Sequence, residues 1–137
     1  MGTLPSGLAD SVADDEELAR FLPSSSWFNA QGAKPVAFLP HPVDRETSVF
    51  RHGAEPANAL WQLGRAYAAG VRNLHGVAIF SARVARDANL EVDAAEPPPR
   101  HAVLVRWPWD EADLELQKAK QKDIALLLAQ RSQVYEP

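Results

Sequence analysis

The chain has 137 residues, of which 46% are hydrophobic and 23% are charged, and its formal net charge at pH 7 is −4. This length suits one domain with a single core, and the acidic balance argues against nucleic-acid binding, which needs clustered Lys and Arg. The chain has no cysteine, which excludes disulfides and a cysteine nucleophile and is consistent with a cytoplasmic location. No apolar run approaches the roughly 20 residues of a membrane helix, so we expect no membrane partner.

The first half of the chain predicts a tail, a short helix and a hairpin. Residues 1–13 are small and polar, which is typical of a flexible tail before a single domain over 14–137. The acidic residues 14–17 predict a short helix that runs to Leu22, because acids in a first turn suit the helix dipole. Residues 35–39 and 47–51 predict the two strands of a hairpin.

The second half alternates helical and extended patterns. The predicted elements are a helix over 56–69 that ends at Gly70, a strand over 74–80, a short helix or turn over 82–88, an extended piece over 90–92, a strand over 101–107 and a helix from a cap at Asp110 to about Ser132. Because the 101–107 strand is apolar on both faces, it should be central. We therefore predict an α+β fold: a mixed, mostly antiparallel sheet of about four or five strands packed by two main helices, one of them the long C-terminal helix.

The apolar run 124–129 in the C-terminal helix covers every side of that helix. A helix on a domain surface needs only one apolar stripe. Two interpretations follow: the run is deeply buried against the sheet, or one side packs there while the other meets a partner or a second copy. The nearby Lys118, Lys120 and Lys122 predict a solvated face.

Two tryptophans, Trp107 and Trp109, stand between the 101–107 strand and the final helix. Tryptophan is a common interface anchor, but the pair could equally form a lid that closes one end of the core. If the chain docks a partner, we expect Trp107, Trp109, Leu126 and Leu128 to contact it.

The four histidines, His41, His52, His75 and His101, include no pair with the spacing that places two metal ligands on one helix face, so we predict no metal. His101 lies at the entry of the predicted central strand, where it could act as an acid or base. The alternative is a structural ring that bonds to a carbonyl. His75 begins another strand, so its ring could approach His101 at one end of the sheet, and the same structural alternative applies to it.

Alternation places Glu46 and Ser48 on one face of the 47–51 strand. His52 is roughly 13 Å from Ser48 along that strand, so Ser48 could pair only with His75 or His101. No Gly-x-Ser-x-Gly elbow surrounds Ser48, which argues against a serine hydrolase. The candidate site residues are Ser48, Glu46 and His101 as catalytic groups, with Arg51, Arg100 and His75 as ligand-binding groups.

Arginine suits an anionic or nucleotide-like ligand, although the same arginines could form ordinary salt bridges at the rim. The seven glycines are scattered and form no phosphate loop, so no cofactor is predicted.

The order of short motifs resembles that of a group of small bacterial proteins with no established activity. The resemblance rests on 34–40 (KPVAFLP), 46–51 (ETSVFR), 74–78 (LHGVA), 90–92 (LEV) and 96–104 (EPPPRHAVL), which follow an aromatic–Pro, Leu-Ser-Val and Pro-x-x-x-His-Ala-x-Ile order. It covers about residues 24 to 109. The chain departs from the pattern at Thr47, where the group has Leu, and in its additional C-terminal helix. The resemblance implies a shared fold and the positions of Ser48 and His101, but no reaction.

Two functions are consistent with these features. The first is a small cytoplasmic binding or accessory module that docks a protein partner, or a second copy, through the C-terminal helix and the tryptophan corner. The second is an enzyme or ligand binder for a phosphorylated or nucleotide-like molecule, with a site made of His, Ser, Glu and Arg. The distance between His101 and Ser48 or Glu46, and the presence of a cleft around them, discriminates between the two.

Overall fold

The computed structural model describes residues 2–52, 57–68 and 73–137, and these form a six-stranded antiparallel sheet with three α-helices and a small two-stranded sheet. The strands of the large sheet are β1 (Glu17–Leu22), β4 (Thr47–Arg51), β5 (Gly76–Ser81), β6 (Glu91–Ala94), β7 (His101–Val105) and β8 (Gln133–Tyr135), in the order β6-β7-β4-β1-β5-β8. The small sheet pairs β2 (Phe28–Asn29) with β3 (Gly32–Ala33). The α+β class is confirmed, and the sheet has more strands than the predicted four or five.

The helices are α1 (Ala57–Tyr67), α2 (Ala82–Asp87) and α3 (Leu114–Arg131). α1 confirms the body of the predicted 56–69 helix, while its predicted boundaries Pro56, Ala69 and Gly70 lie outside the described residues. α3 confirms the long C-terminal helix. Its cap is Asp113, whose carboxylate accepts the Leu116 N–H at 3.0 Å. The predicted cap, Asp110, instead accepts the N–H groups of Ala112 and Asp113 in the turn before the helix.

The helix predicted over 14–22 is wrong, because this segment forms β1 between β4 and β5. Leu18 and Leu22 enter the core on one face of the sheet, and Ala19 and Phe21 enter the core on the other. A strand buries alternate residues on two faces, whereas a surface helix buries one stripe. Of the acidic residues before β1, Asp14 pairs with Arg86 and Glu16 pairs with Arg51, so these two carboxylates do not serve a helix N-terminus.

The strand predicted over 35–39 is also wrong, and with it the hairpin. Pro35–Phe38 is a 3-10 helix whose Ala37 and Phe38 are buried. Proline at the start of this turn needs no N–H partner, and the Thr47 hydroxyl donates to the Phe38 carbonyl at 2.7 Å. β4 instead pairs with β7 and β1.

Each face of the sheet carries its own core. One core lies beneath α2, α3 and the 3-10 helix and includes Phe38, Leu104 and Leu128. The other lies beneath α1 and includes Phe21, Phe50 and Leu60. Among the helices of the described residues, none has both the length and the apolar character needed to cross a membrane.

Residues 2–13, the described part of the predicted flexible tail, bond to three other segments. Val12 is buried in the core beneath α2 and α3. The Ala9 carbonyl accepts Arg51 Nη1 at 2.6 Å, and the Val12 carbonyl accepts Arg86 Nη2 at 2.7 Å. Ser6 donates both its N–H and its hydroxyl to the Glu96 carboxylate.

Candidate functional sites

The structure brings Ser48 and His101 together. Ser48 Oγ lies 2.6 Å from His101 Nε2, with Ser48 exposed on β4 and His101 half-buried at the start of β7. The register pairs Ser48 with Val103 and Phe50 with His101, so both side chains lie on the sheet face beneath which Phe50 packs. The His101 ring also contacts Phe50, with ring centroids 5.3 Å apart.

The second ring nitrogen fixes the proton arrangement. His101 Nδ1 lies 3.0 Å from the Ala95 carbonyl oxygen, which can only accept a hydrogen bond. Nδ1 therefore carries the proton and donates it, which leaves Nε2 of the neutral ring as the acceptor for the Ser48 hydroxyl. A serine hydroxyl is activated when it donates a hydrogen bond to a base and a third group orients that base. Ser48, His101 and the Ala95 carbonyl have this arrangement.

An arginine of β1 holds the backbone at Ser48. Arg20 Nη1 donates to the Ser48 carbonyl at 2.8 Å, and its Nε donates to the Ala37 carbonyl at 2.7 Å. Burial lowers the pKa of Arg20 to about 10, so the guanidinium is still charged at neutral pH. It connects β4 to the 3-10 helix where the β1–β4 ladder ends.

The proline run 97–99 forms a tight turn that leads the chain into β7. The Glu96 carboxylate accepts the Arg100 N–H at 3.2 Å as well as the Ser6 groups, and the Pro98 carbonyl accepts the His101 N–H at 3.1 Å. Burial alone would raise the pKa of Glu96, but the hydrogen bonds from Ser6 and Arg100 outweigh it and lower that pKa. This turn sets the position of His101 at the strand entry.

The two arginines predicted to bind an anionic ligand make contacts away from Ser48 and His101. Arg51 is only 1% exposed and lies on the sheet face opposite Ser48, where it pairs with Glu16 at 2.8 Å. Arg100 donates to the backbone carbonyls of Arg51 and His52 at 2.8 and 2.9 Å. Both side chains therefore stabilise the sheet and the N-terminal segment.

Two other predicted site residues contribute differently. His75 is exposed before β5, where its N–H donates to the Leu22 carbonyl at 2.9 Å. Since β1 and β4 lie between β5 and β7, the structure does not bring His75 to His101, which was one of the two alternatives for this ring. Glu46 is half-buried just before β4, two residues from Ser48. Neither Ser48 nor His101 lines any of the five principal cavities among the described residues.

An apolar groove with a basic rim lies between the 3-10 helix and α3. We call it the docking groove; its volume is about 540 Å³, and its lining residues are Lys34, Pro35, Val36, Leu39, Lys118, Gln121 and Lys122. Val36 and Leu39 form an apolar wall although they are 45% and 37% exposed. The sequence predicted Lys118 and Lys122 only as a solvated face. Their approach to Lys34 depends on the 3-10 helix, which was predicted as a strand.

α3 divides its apolar run between core and solvent. Leu128 is completely buried, and Leu126 and Leu127 are 42% and 43% exposed. Leu126 follows Lys122 by four residues, so the two share one side of the helix beside the docking groove. The predicted partner contact at Leu128 is thus excluded by burial, and Leu126 remains accessible.

The tryptophan corner also divides. Trp107 is 6% exposed and belongs to the core beneath α2 and α3, so it is a lid residue and has little surface for a partner. Trp109 is half-buried and has the Arg45 guanidinium 4.5 Å above its ring.

Within the described residues, no group of three or more His, Asp or Glu side chains could hold a metal ion.

Comparisons of this chain with protein-family models, with curated proteins and with solved structures found no match.

Proposed function

We propose that this chain is a binding module whose docking groove holds an acidic, amphipathic segment of a protein partner. The observation that carries the proposal is the combination of an exposed apolar wall with three lysines around it, in a chain whose net charge is −4. Solvent-exposed Val36 and Leu39 offer area that a partner can bury. The three lysines favour a partner segment with negative charge.

The spacing of side chains along α3 supports a helical occupant. An amphipathic helix binds by placing an apolar face into a hydrophobic groove. Leu114, Lys118, Lys122 and Leu126 are spaced by four residues along α3, so they form a stripe that winds slowly around the helix, with apolar ends flanking two central cations. A helix with leucines on one face and carboxylates beside them complements this stripe.

Two synthetic peptides of about 15 residues, long enough for a helix, test the proposal. One carries Leu on one face and Glu beside it, and its twin replaces every Glu with Lys. We expect the acidic peptide to bind the full chain at least tenfold more tightly than the basic twin in isothermal titration calorimetry. Equal binding of the two peptides, or binding of neither, would contradict the proposal.

A pair of charge reversals locates the binding to the groove. Lys118→Glu with Lys122→Glu should weaken the acidic peptide roughly tenfold or more, a change of about 1.4 kcal/mol per factor of ten. Lys120→Glu is the matched control, because Lys120 is exposed on another side of the same helix. Equal weakening by the control would exclude the groove as the site.

Sedimentation velocity separates a foreign partner from a second copy. We expect the free chain to sediment as a monomer at micromolar concentration. A dimer that dissociates on the Lys118→Glu, Lys122→Glu double change would make a second copy the occupant, and the separate partner would be rejected.

A second candidate function, an enzyme or ligand binder at Ser48 and His101, is favoured by their 2.6 Å contact. The engagement of Arg51 and Arg100 removes the expected anion holders from this site. A titration with phosphate and with AMP, followed through the imidazole NMR signals, tests it. Binding should move the His101 signal and leave exposed His41 unchanged, and Ser48→Ala should abolish the movement. Equal movement of both histidines, or no movement, would reject this function.

A further inference from the structure

A cavity of about 410 Å³ opens between α1 and the sheet, on the half of that face away from Ser48. We call it the α1 cavity, and its lining residues are Glu17, His52, Leu60, Trp61, Val77, Ile79, Tyr135 and Glu136. Its volume falls within the range of about 300–1,000 Å³ that is typical of small-molecule sites. It does not overlap the docking groove, so its role is independent of the proposed function.

The interior of the α1 cavity is apolar and aromatic. Val77 and Ile79 of β5 form its floor, and Leu60 of α1 closes it from above. The rings of Trp61 and Tyr135 contribute to its walls. β8 brings Tyr135 opposite Val77, so the C-terminal strand, which the sequence did not predict, completes the site.

The charges of the α1 cavity have one sign. Among the described residues, Glu17 and Glu136 are the two formally charged lining residues, and both are exposed. Carboxylates attract an ammonium group and repel an anion, and aromatic faces attract cations. The apolar floor would then cover the hydrocarbon part of the same molecule.

His52 adds an unsatisfied polar atom at the margin of the cavity. Its backbone N–H donates to the Glu17 carbonyl at 2.8 Å, but its buried Nδ1 has no hydrogen-bond partner among the described residues. Buried polar atoms in folded proteins are almost always paired. An unpaired one beside a cavity is consistent with a site that a ligand completes.

We propose that the α1 cavity binds a small organic cation in which an ammonium group is attached to an apolar, preferably aromatic, body. The ammonium group lies between Glu17 and Glu136, and the apolar body lies on Val77 and Ile79 beside Trp61. Neutral or anionic molecules of the same shape lack the charge attraction and bind more weakly.

Three probes of similar shape and different charge test this proposal on the full chain. They are phenethylammonium, phenethyl alcohol and 3-phenylpropionate, each titrated into isotope-labelled protein and followed by NMR. We expect phenethylammonium to bind at least tenfold more tightly than 3-phenylpropionate and to shift the signals of Leu60, Val77 and Ile79. Binding of the three probes with equal affinity would overturn the proposal, as would shifts confined to the docking groove or no binding at millimolar concentration.

Neutralisation of the two carboxylates tests their role. The double change Glu17→Gln, Glu136→Gln should weaken phenethylammonium roughly tenfold and leave phenethyl alcohol unchanged. Both residues are exposed, so the variant should keep its thermal stability. Glu115→Gln, an exposed acid on α3, is the control and should change neither affinity. If the double change leaves phenethylammonium binding intact, the cation proposal fails.

Discussion

At the scale of single residues, Arg51 shows how one side chain ties the N-terminal segment to the sheet. Its side chain is 2% exposed and contacts the Glu16 carboxylate, with Nε to Oε1 at 2.8 Å and Nη2 to Oε2 at 2.9 Å. Burial would raise the pKa of Glu16, but the hydrogen bonds from Arg51 and the Ala13 N–H, together with the charge of Arg51, outweigh it and lower that pKa. Two parallel bonds to a carboxylate are among the stronger polar contacts in proteins.

We expect Glu16→Gln to lower the free energy of unfolding by roughly 3 kcal/mol, because it leaves the Arg51 charge buried and unpaired. The control is Glu111→Gln, which breaks the exposed Arg45–Glu111 pair at 3.0 Å and should cost less than about 0.5 kcal/mol. Urea denaturation measures both. Equal effects of the two changes would show that the Glu16–Arg51 pair contributes no more to stability than an exposed pair.

The same pair gives a defined dependence on pH. Because the pKa of Glu16 is lower in the folded than in the unfolded chain, its stabilisation is complete above the unfolded pKa and is lost as pH falls through the folded pKa. The wild-type chain should therefore lose stability below about pH 4.5 more steeply than Glu16→Gln. Parallel acid denaturation curves for the two proteins would contradict this.

At the scale of elements, the sequence predicted those segments whose apolar residues follow a recognisable strand or helix pattern. β5 and β7 were predicted from apolar runs that cover both faces of a strand, and the body of α1 was predicted from apolar residues at helical spacing. β4 was predicted as a strand, although in a hairpin that does not form. β1 was missed because its acidic start imitates a helix N-terminus, and only its two buried faces identify it as a central strand. The sequence allowed Ser48 to pair with either His75 or His101. The strand order decides between them, and the sequence does not reveal that order.

We expect Gly64→Ala to destabilise the chain by about 1–2 kcal/mol, because a Cβ there would lie 2.5 Å from Phe21 Cε1 and 2.7 Å from Leu74 Cδ1. Helix propensity alone would favour alanine by up to about 1 kcal/mol. Thermal unfolding measures the change, and Gln62→Ala on the exposed side of α1 is the control. Stabilisation by Gly64→Ala would show that α1 does not approach the sheet so closely.

At the scale of the whole molecule, the N-terminal segment joins parts that are distant in sequence. Residues 2–13 contact β4 through Arg51, α2 through Arg86 and the proline turn through Glu96. Small polar residues gave no sign of this in the sequence, because most of the contacts use backbone carbonyls that every residue has. Contacts of this kind depend on where the fold places the chain.

We expect removal of residues 1–12 to lower the midpoint of thermal unfolding by several degrees, since Val12 leaves the core and Arg51 and Arg86 lose carbonyl partners. Removal of Pro137, which is exposed, is the control. An unchanged midpoint would support the flexible tail that composition predicts.

The two edge strands of the large sheet are its shortest strands, β6 with four residues and β8 with three. An exposed strand edge is a template for pairing with another chain, and short edge strands limit that pairing. Stacking of copies into fibrils is therefore disfavoured by the architecture itself. Association of this chain through its described sheet edges is therefore limited, and contacts between copies or with a partner should rely on side chains.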